Sequence, residues 1–124
     1  MNDIAYKIFI YLVENRDCKA LLISNRSEEI KKQVETLIDG FNNQIYEIDE
    51  KRLFRTKPSN LEIQCGLRVS IVFVDSETVT VTKDMVDIIS TFIIHTYESQ
   101  LANFLSKKHY DYKPNYVNGG ILVI

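Results

Sequence analysis

Two histidines, a group of carboxylates around one turn, a cationic cluster and a series of tyrosines are the residues of this chain whose chemistry could be put to work. Histidine is the commonest general base, so His95 and His109 come first. His95 falls on the margin of a helical apolar run, one turn after Phe92, where a flanking histidine is ordinary. His109 follows Lys107 and Lys108, and cations at a helix end interact favourably with its dipole. Neither has a Cys or Ser beside it in sequence to make a nucleophile and base pair. Asp75, Glu77, Asp84 and Asp87 could build a metal or general-acid site. Turn chemistry accounts for Asp75, and helix-start electrostatics for Asp84 and Asp87. Their spacing lacks the dense alternating ligands of a calcium loop. The chain has only four glycines, and Gly119-Gly120 is followed by no helix, so phosphate-loop and dinucleotide motifs are absent. The residues therefore predict no catalytic group, no metal and no cofactor.

Binding chemistry is better represented. Lys51, Arg52, Arg55 and Lys57 enclose Leu53 and Phe54 just before Pro58. Such a cluster can grip phosphates or an acidic protein surface, and an exposed Phe54 would anchor the contact. The plainer alternative is a solvated loop pinned to the core by Leu53 and Phe54. Tyr110, Tyr112 and Tyr116 form the second binding-like series, since tyrosine supplies large amphipathic area at small entropic cost. Alternating exposure along a final strand explains the tyrosines equally well.

The chain has 124 residues, 45% hydrophobic and 26% charged, which fits one globular domain. A domain of this size buries enough surface to fold without disulfides or metal. A net charge of -2 gives no global pull toward nucleic acid or anionic lipid, so any such binding would be local. Cys18 and Cys65 stand far apart without zinc-type spacing, and reduced core thiols are expected. No apolar run approaches a membrane span. The first residues lack a basic region and a cleavage site, so a cytoplasmic protein without a membrane partner is expected.

These groups must be positioned by a set of elements read from periodicity. Ile8 to Val13 is apolar on both faces and rich in β-formers, which reads as a central strand. A helix over Asp3 to Glu14 is the rival, because Ile4, Ile8 and Leu12 also share a helical face. A turn at Glu14 to Asp17 and a strand at Lys19 to Ser24 would complete a hairpin. Asn25 and Glu28 have capping-box spacing, and Ile30, Val34, Leu37, Ile38 and Phe41 make one helical stripe. Gly40 is a natural stop. Gln44 to Ile48 and Leu61 to Cys65 read as short strands, with Asp49 to Asn60 a long loop between them. Leu67, Val69, Ile71 and Phe73 alternate; Asp75 to Glu77 turns the chain; Val79 and Val81 alternate with Thr78, Thr80 and Thr82. A second helix starts near Asp84. Ile121 to Ile124 reads as a terminal strand that must pair within the sheet or with a partner.

The expected fold is a single α+β domain over residues 1–124, two-layered. Its antiparallel or mixed sheet has about five to seven strands, with helices at about 27–40 and 84–107 on one face. The function expected first is a small cytoplasmic protein-binding module, such as an inhibitor, an immunity protein, an antidefence factor or a subunit of an assembly. It would dock another protein through Lys51, Arg52, Phe54, Arg55, Lys57, Tyr110, Tyr112 and Tyr116, by side chains or by strand addition. A homo-oligomer through an edge strand is a further partner class. The alternative is a nucleic-acid-associated regulatory module using loop 51–57 with Lys107 and Lys108. A third reading is an enzyme that brings His95 or His109 together with Asp75 or Glu77.

Overall fold

The computed structural model describes residues 3–15, 18–42, 48–64, 66–93, 116–117 and 121–124. Along the chain run α1 (Asp3–Glu14), β1 (Ala20–Ile23), α2 (Ser27–Asn42), β2 (Leu53–Thr56), β3 (Ile71–Val74), α3 (Lys83–Ser90), β4 (Tyr116–Val117) and β5 (Ile121–Val123), with 3₁₀ segments at Glu50–Arg52 and Pro58–Gln64. The sheet order is β2-β1-β3-β5-β4. β1 lies parallel to both β2 and β3, and β3 parallel to β5. The two-residue β4 is antiparallel to β5. Four parallel strands with helices make this an α/β fold.

Burial shows why the strands sit together in this way. β1 and β3 are buried at every position, as central parallel strands covered on both faces must be. Alternate side chains feed two separate cores. Ala20, Leu22, Leu53, Ile71, Phe73 and Leu122 pack under α1 and α2, against Ile8, Leu12, Ile30, Val34 and Ile38. Leu21, Ile23, Val72, Val74 and Ile121 face the other way, toward Val79, Ile89 and Phe92. Helices therefore cover both faces of the sheet.

This corrects the expected two-layer α+β fold with an antiparallel or mixed sheet and both helices on one face: the four main strands are all parallel, and among the described strands only the two-residue β4 runs against its neighbour. Three causes are identifiable. Residues 3–14 form a helix, because α1 needs apolar groups nearly all round. Ile4, Ala5, Ile8, Tyr11 and Leu12 are buried, while Phe9, Ile10 and Val13 pack at the rim of the same core. The Phe9 ring also meets Phe41 of α2 edge-on at 5.9 Å. With α1 a helix, the first hairpin disappears. The second hairpin is absent because Asp75's carbonyl takes the N–H groups of Thr78 and Val79, after which Thr82 caps α3 by accepting from the Met85 N–H at 3.2 Å. The second helix stops at Ser90, not 107: Thr91 is its C-cap, and Ile93 bridges to Val69. Residues 94–107 lie outside the described residues.

Leu61–Gln64 belongs to a 3₁₀ segment rather than a strand. Residues 44–47 of the expected strand at 44–48 are outside the described residues. The expected loop around 51–57 holds a 3₁₀ turn followed by β2, an edge strand. Helix α2 continues through Gly40 to Asn42, whose side-chain amide holds both the N–H and the carbonyl of Ile48. The terminal strand pairs within its own sheet. The Ile124 N–H reaches the Val74 carbonyl at 2.9 Å, and the Ile124 carbonyl receives the N–H and hydroxyl of Ser76. Cys18 is buried in the core beneath α1 and α2, and Cys65 lies outside the described residues.

Candidate functional site

In an open parallel sheet, ligands settle outside the carboxyl ends of the strands where the strand order reverses. Here the order places that point between β1 and β3. The chain leaves β1 through Ser24, Asn25 and Arg26 into α2, and leaves β3 through Asp75, Ser76, Glu77 and Thr78. The two turns are stitched to each other. Asp75, almost wholly buried, accepts from the Ser24 hydroxyl at 2.7 Å, from Arg26 Nε and Nη2 at 2.8 and 3.1 Å, and from the Thr78 hydroxyl at 3.0 Å. Arg26 Nη2 also reaches Glu77 at 2.8 Å. The Asn25 side-chain amide donates to the Thr78 carbonyl at 2.7 Å, and its N–H to the Thr78 hydroxyl at 3.1 Å. Asn25 is thus spent on crossing to the β3 turn and not on capping α2.

Burial pushes the Asp75 carboxyl up, but the hydrogen bonds from Arg26, Ser24 and Thr78 outweigh it, and its pKa lies below the ordinary carboxylate value. The Arg26 guanidinium is correspondingly held more basic, chiefly by its bond to Asp75. The two turns at the switch point are therefore held to each other by the protein's own charged and hydroxyl groups.

Beside this knot lies an open groove of about 640 Å³, lined by Asn25, Arg26, Glu28, Glu29, Lys32, Gln33, Arg55 and Lys57. Its wall is the first half of α2, and its rim is the end of β2. A smaller hollow of about 260 Å³, which shares Glu28, Lys32 and Arg55 with the groove, is lined also by Lys31 and Glu35. Arg55 and Lys57 are exposed and make no ion pair among the described residues. Lys32 sits 3.9 Å from Glu28, a pair exposed on both sides and weak on that account.

The sequence-predicted residues divide sharply. Arg55 and Lys57 line the groove. Arg52 does not: its guanidinium donates to the carbonyls of Cys18, at 2.8 Å, of Leu12, at 3.1 Å, and of Asn15. It closes the C-terminal end of α1, whose last turn carries no cation of its own. Phe54 is half-buried against the α3-side core, and Lys51 is exposed on the 3₁₀ turn ahead of β2. Tyr116 is in β4. Tyr110, Tyr112, His95 and His109 lie outside the described residues. Asp75 and Glu77 meet at Arg26, while Asp84 and Asp87 are exposed on α3. Among the described residues, no three His, Cys, Asp or Glu side chains are grouped to hold a metal ion.

Sequence reasoning missed Arg26, Glu28, Glu29 and Lys32. The available signal was a buried aliphatic run followed at once by Ser24-Asn25-Arg26 and a helix, which acquires meaning only when the sheet is parallel.

The β2 edge itself offers little backbone. The Ser24 N–H meets the Thr56 carbonyl at 3.1 Å, so Thr56 and Phe54 point their backbone groups toward β1 while Leu53 and Arg55 point outward. The Leu53 N–H is bonded to the Glu50 carbonyl, and the Leu53 carbonyl to Lys31 at 3.0 Å. Arg55 alone keeps outward backbone groups, too few to pair with an added strand. A covered edge of this kind guards against strand pairing between molecules.

Comparison with protein-family models, with curated proteins and with solved structures finds no match to this chain. No helix among the described residues is long and apolar enough to cross a membrane.

Proposed function

We propose that this protein works by docking a partner protein through the groove between α2 and the end of β2, as an inhibitor, immunity-type or antidefence protein or as a subunit of an assembly. One observation carries the reading. The groove presents both charge signs on a rigid helix wall and strand end, with Arg26, Lys32, Arg55 and Lys57 set against Glu28 and Glu29. Patterned charge of both signs orients a protein partner and rejects others. The switch point supports it further, because Arg26 and Asp75, which stand where such sheets usually take small ligands, are bonded to each other.

A phosphate backbone, the alternative occupant, would meet the Glu28 and Glu29 carboxylates along the same wall. It would also find Arg52 already committed to three carbonyls. The test is a tagged pull-down from native lysate with and without nuclease, read by mass spectrometry. A stoichiometric partner that survives nuclease is the expected result. Recovery that disappears with nuclease would transfer the groove to nucleic acid.

A further inference from the structure

Resting on the docking reading, we infer that the groove takes an extended acidic segment of the partner, with spaced carboxylates held by Arg26, Lys32, Arg55 and Lys57. Three contacts, one at Nε and two at Nη2, tie Arg26 to Asp75 and Glu77. A guanidinium has five donors, and the Nη1 pair carries no hydrogen bond among the described residues. Arg26 also lines the groove. It is thus a clamp braced from behind by Asp75, with donor capacity left for an incoming carboxylate.

Arg55 and Lys57 approach from the other side of the same groove and are not held by any ion pair among the described residues. Cations at opposite walls suit single carboxylates spaced along a chain. Glu28 and Glu29 line the same groove from the first turn of α2 and oppose a continuous polyanion. The backbone of β2 is closed to strand addition, so recognition runs through side chains.

The inference is tested with labelled peptides of repeating Glu-Ser, Gln-Ser and Lys-Ser and a single-stranded DNA of similar length, by fluorescence anisotropy at low salt, where exposed charge contacts are least screened. The Glu-Ser peptide is expected to bind and the Gln-Ser and Lys-Ser peptides not to. The double variant Arg55→Glu/Lys57→Glu should weaken binding about tenfold, as expected for two reversed surface charges. Glu29→Gln should strengthen it. Both variants alter exposed side chains, and unchanged circular dichroism confirms folding. Equal binding of Glu-Ser and Gln-Ser, no binding of either, or tighter binding of the DNA would overturn the inference. If the Glu-Ser peptide fails while charge reversal still abolishes capture of the partner, the acidic segment is wrong and the docking groove stands. If charge reversal leaves capture intact, the groove itself is wrong.

Discussion

Asp75→Asn is the substitution that probes the knot at the end of the central strands. The change keeps the size of the side chain and removes its charge. The carboxylate accepts from Ser24 Oγ, Arg26 Nε and Nη2, Thr78 Oγ1 and, at 3.3 Å, the Glu77 N–H. Hydrogen bonds to a charged group contribute about 1.5–3 kcal/mol each, though not additively. Breaking a fully buried pair costs about 3–5 kcal/mol. Arg26 keeps 28% of its side chain exposed and regains water when its partner is lost. The expected cost at neutral pH is therefore about 2–3 kcal/mol, below the fully buried range. Glu77→Gln at the 74% exposed end of the same network should cost less than about 0.5 kcal/mol.

The pH dependence has a definite sign. The folded pKa of Asp75 is depressed, so its contribution is complete above the unfolded value of about 3.9 and is lost as pH falls through the lower, folded value. The gap between wild type and Asp75→Asn should stay flat from neutral pH down to about 5 and close below about 4. Urea unfolding followed by far-ultraviolet circular dichroism at a series of pH values measures it. Equal costs for Asp75→Asn and Glu77→Gln, or a gap that widens in acid, would refute the assignment of Asp75 as the ionised centre of the knot.

Arg52→Met should destabilise the fold by about 2 kcal/mol by leaving the end of α1 uncapped, whereas Arg55→Glu should change stability by less than about 0.5 kcal/mol; paired urea titrations separate the two roles. Tyr11→Phe should cost about 1 kcal/mol, because Ser70 donates to the Lys19 carbonyl and accepts from the buried Tyr11 hydroxyl; a stability within error of wild type would remove that link between α1 and the sheet. Leu22→Ala, at a fully buried position of the core beneath α1 and α2, should cost about 2–5 kcal/mol, read from the same titration.

Elements were legible where one period dominated. The stripe of α2 at Ile30, Val34 and Ile38 and the terminal aliphatics of β5 are of this kind. Residues 8–13 satisfied strand and helix periods together, because α1 is apolar nearly all round. Reading that segment as a strand supplied a hairpin that does not exist. Parallel pairing was invisible for a related reason: β1 meets β2 and β3 only after long crossovers, and no local turn signals it. The β2 side of the groove was legible by composition, in Arg55 and Lys57. The other side, with Arg26, Glu28, Glu29 and Lys32, comes from the start of the β1–α2–β2 crossover, so nothing near residue 55 announces it. Arg52 shows the converse, a cation in a binding-like cluster whose donors are consumed by carbonyls near the end of α1 and the start of β1.

The most direct test of the docking groove is a quantitative pull-down comparing wild type with Arg55→Glu/Lys57→Glu, both nuclease-treated and both verified as folded. Loss of the stoichiometric partner from the variant is the predicted result; retention of that partner at wild-type level would contradict the account.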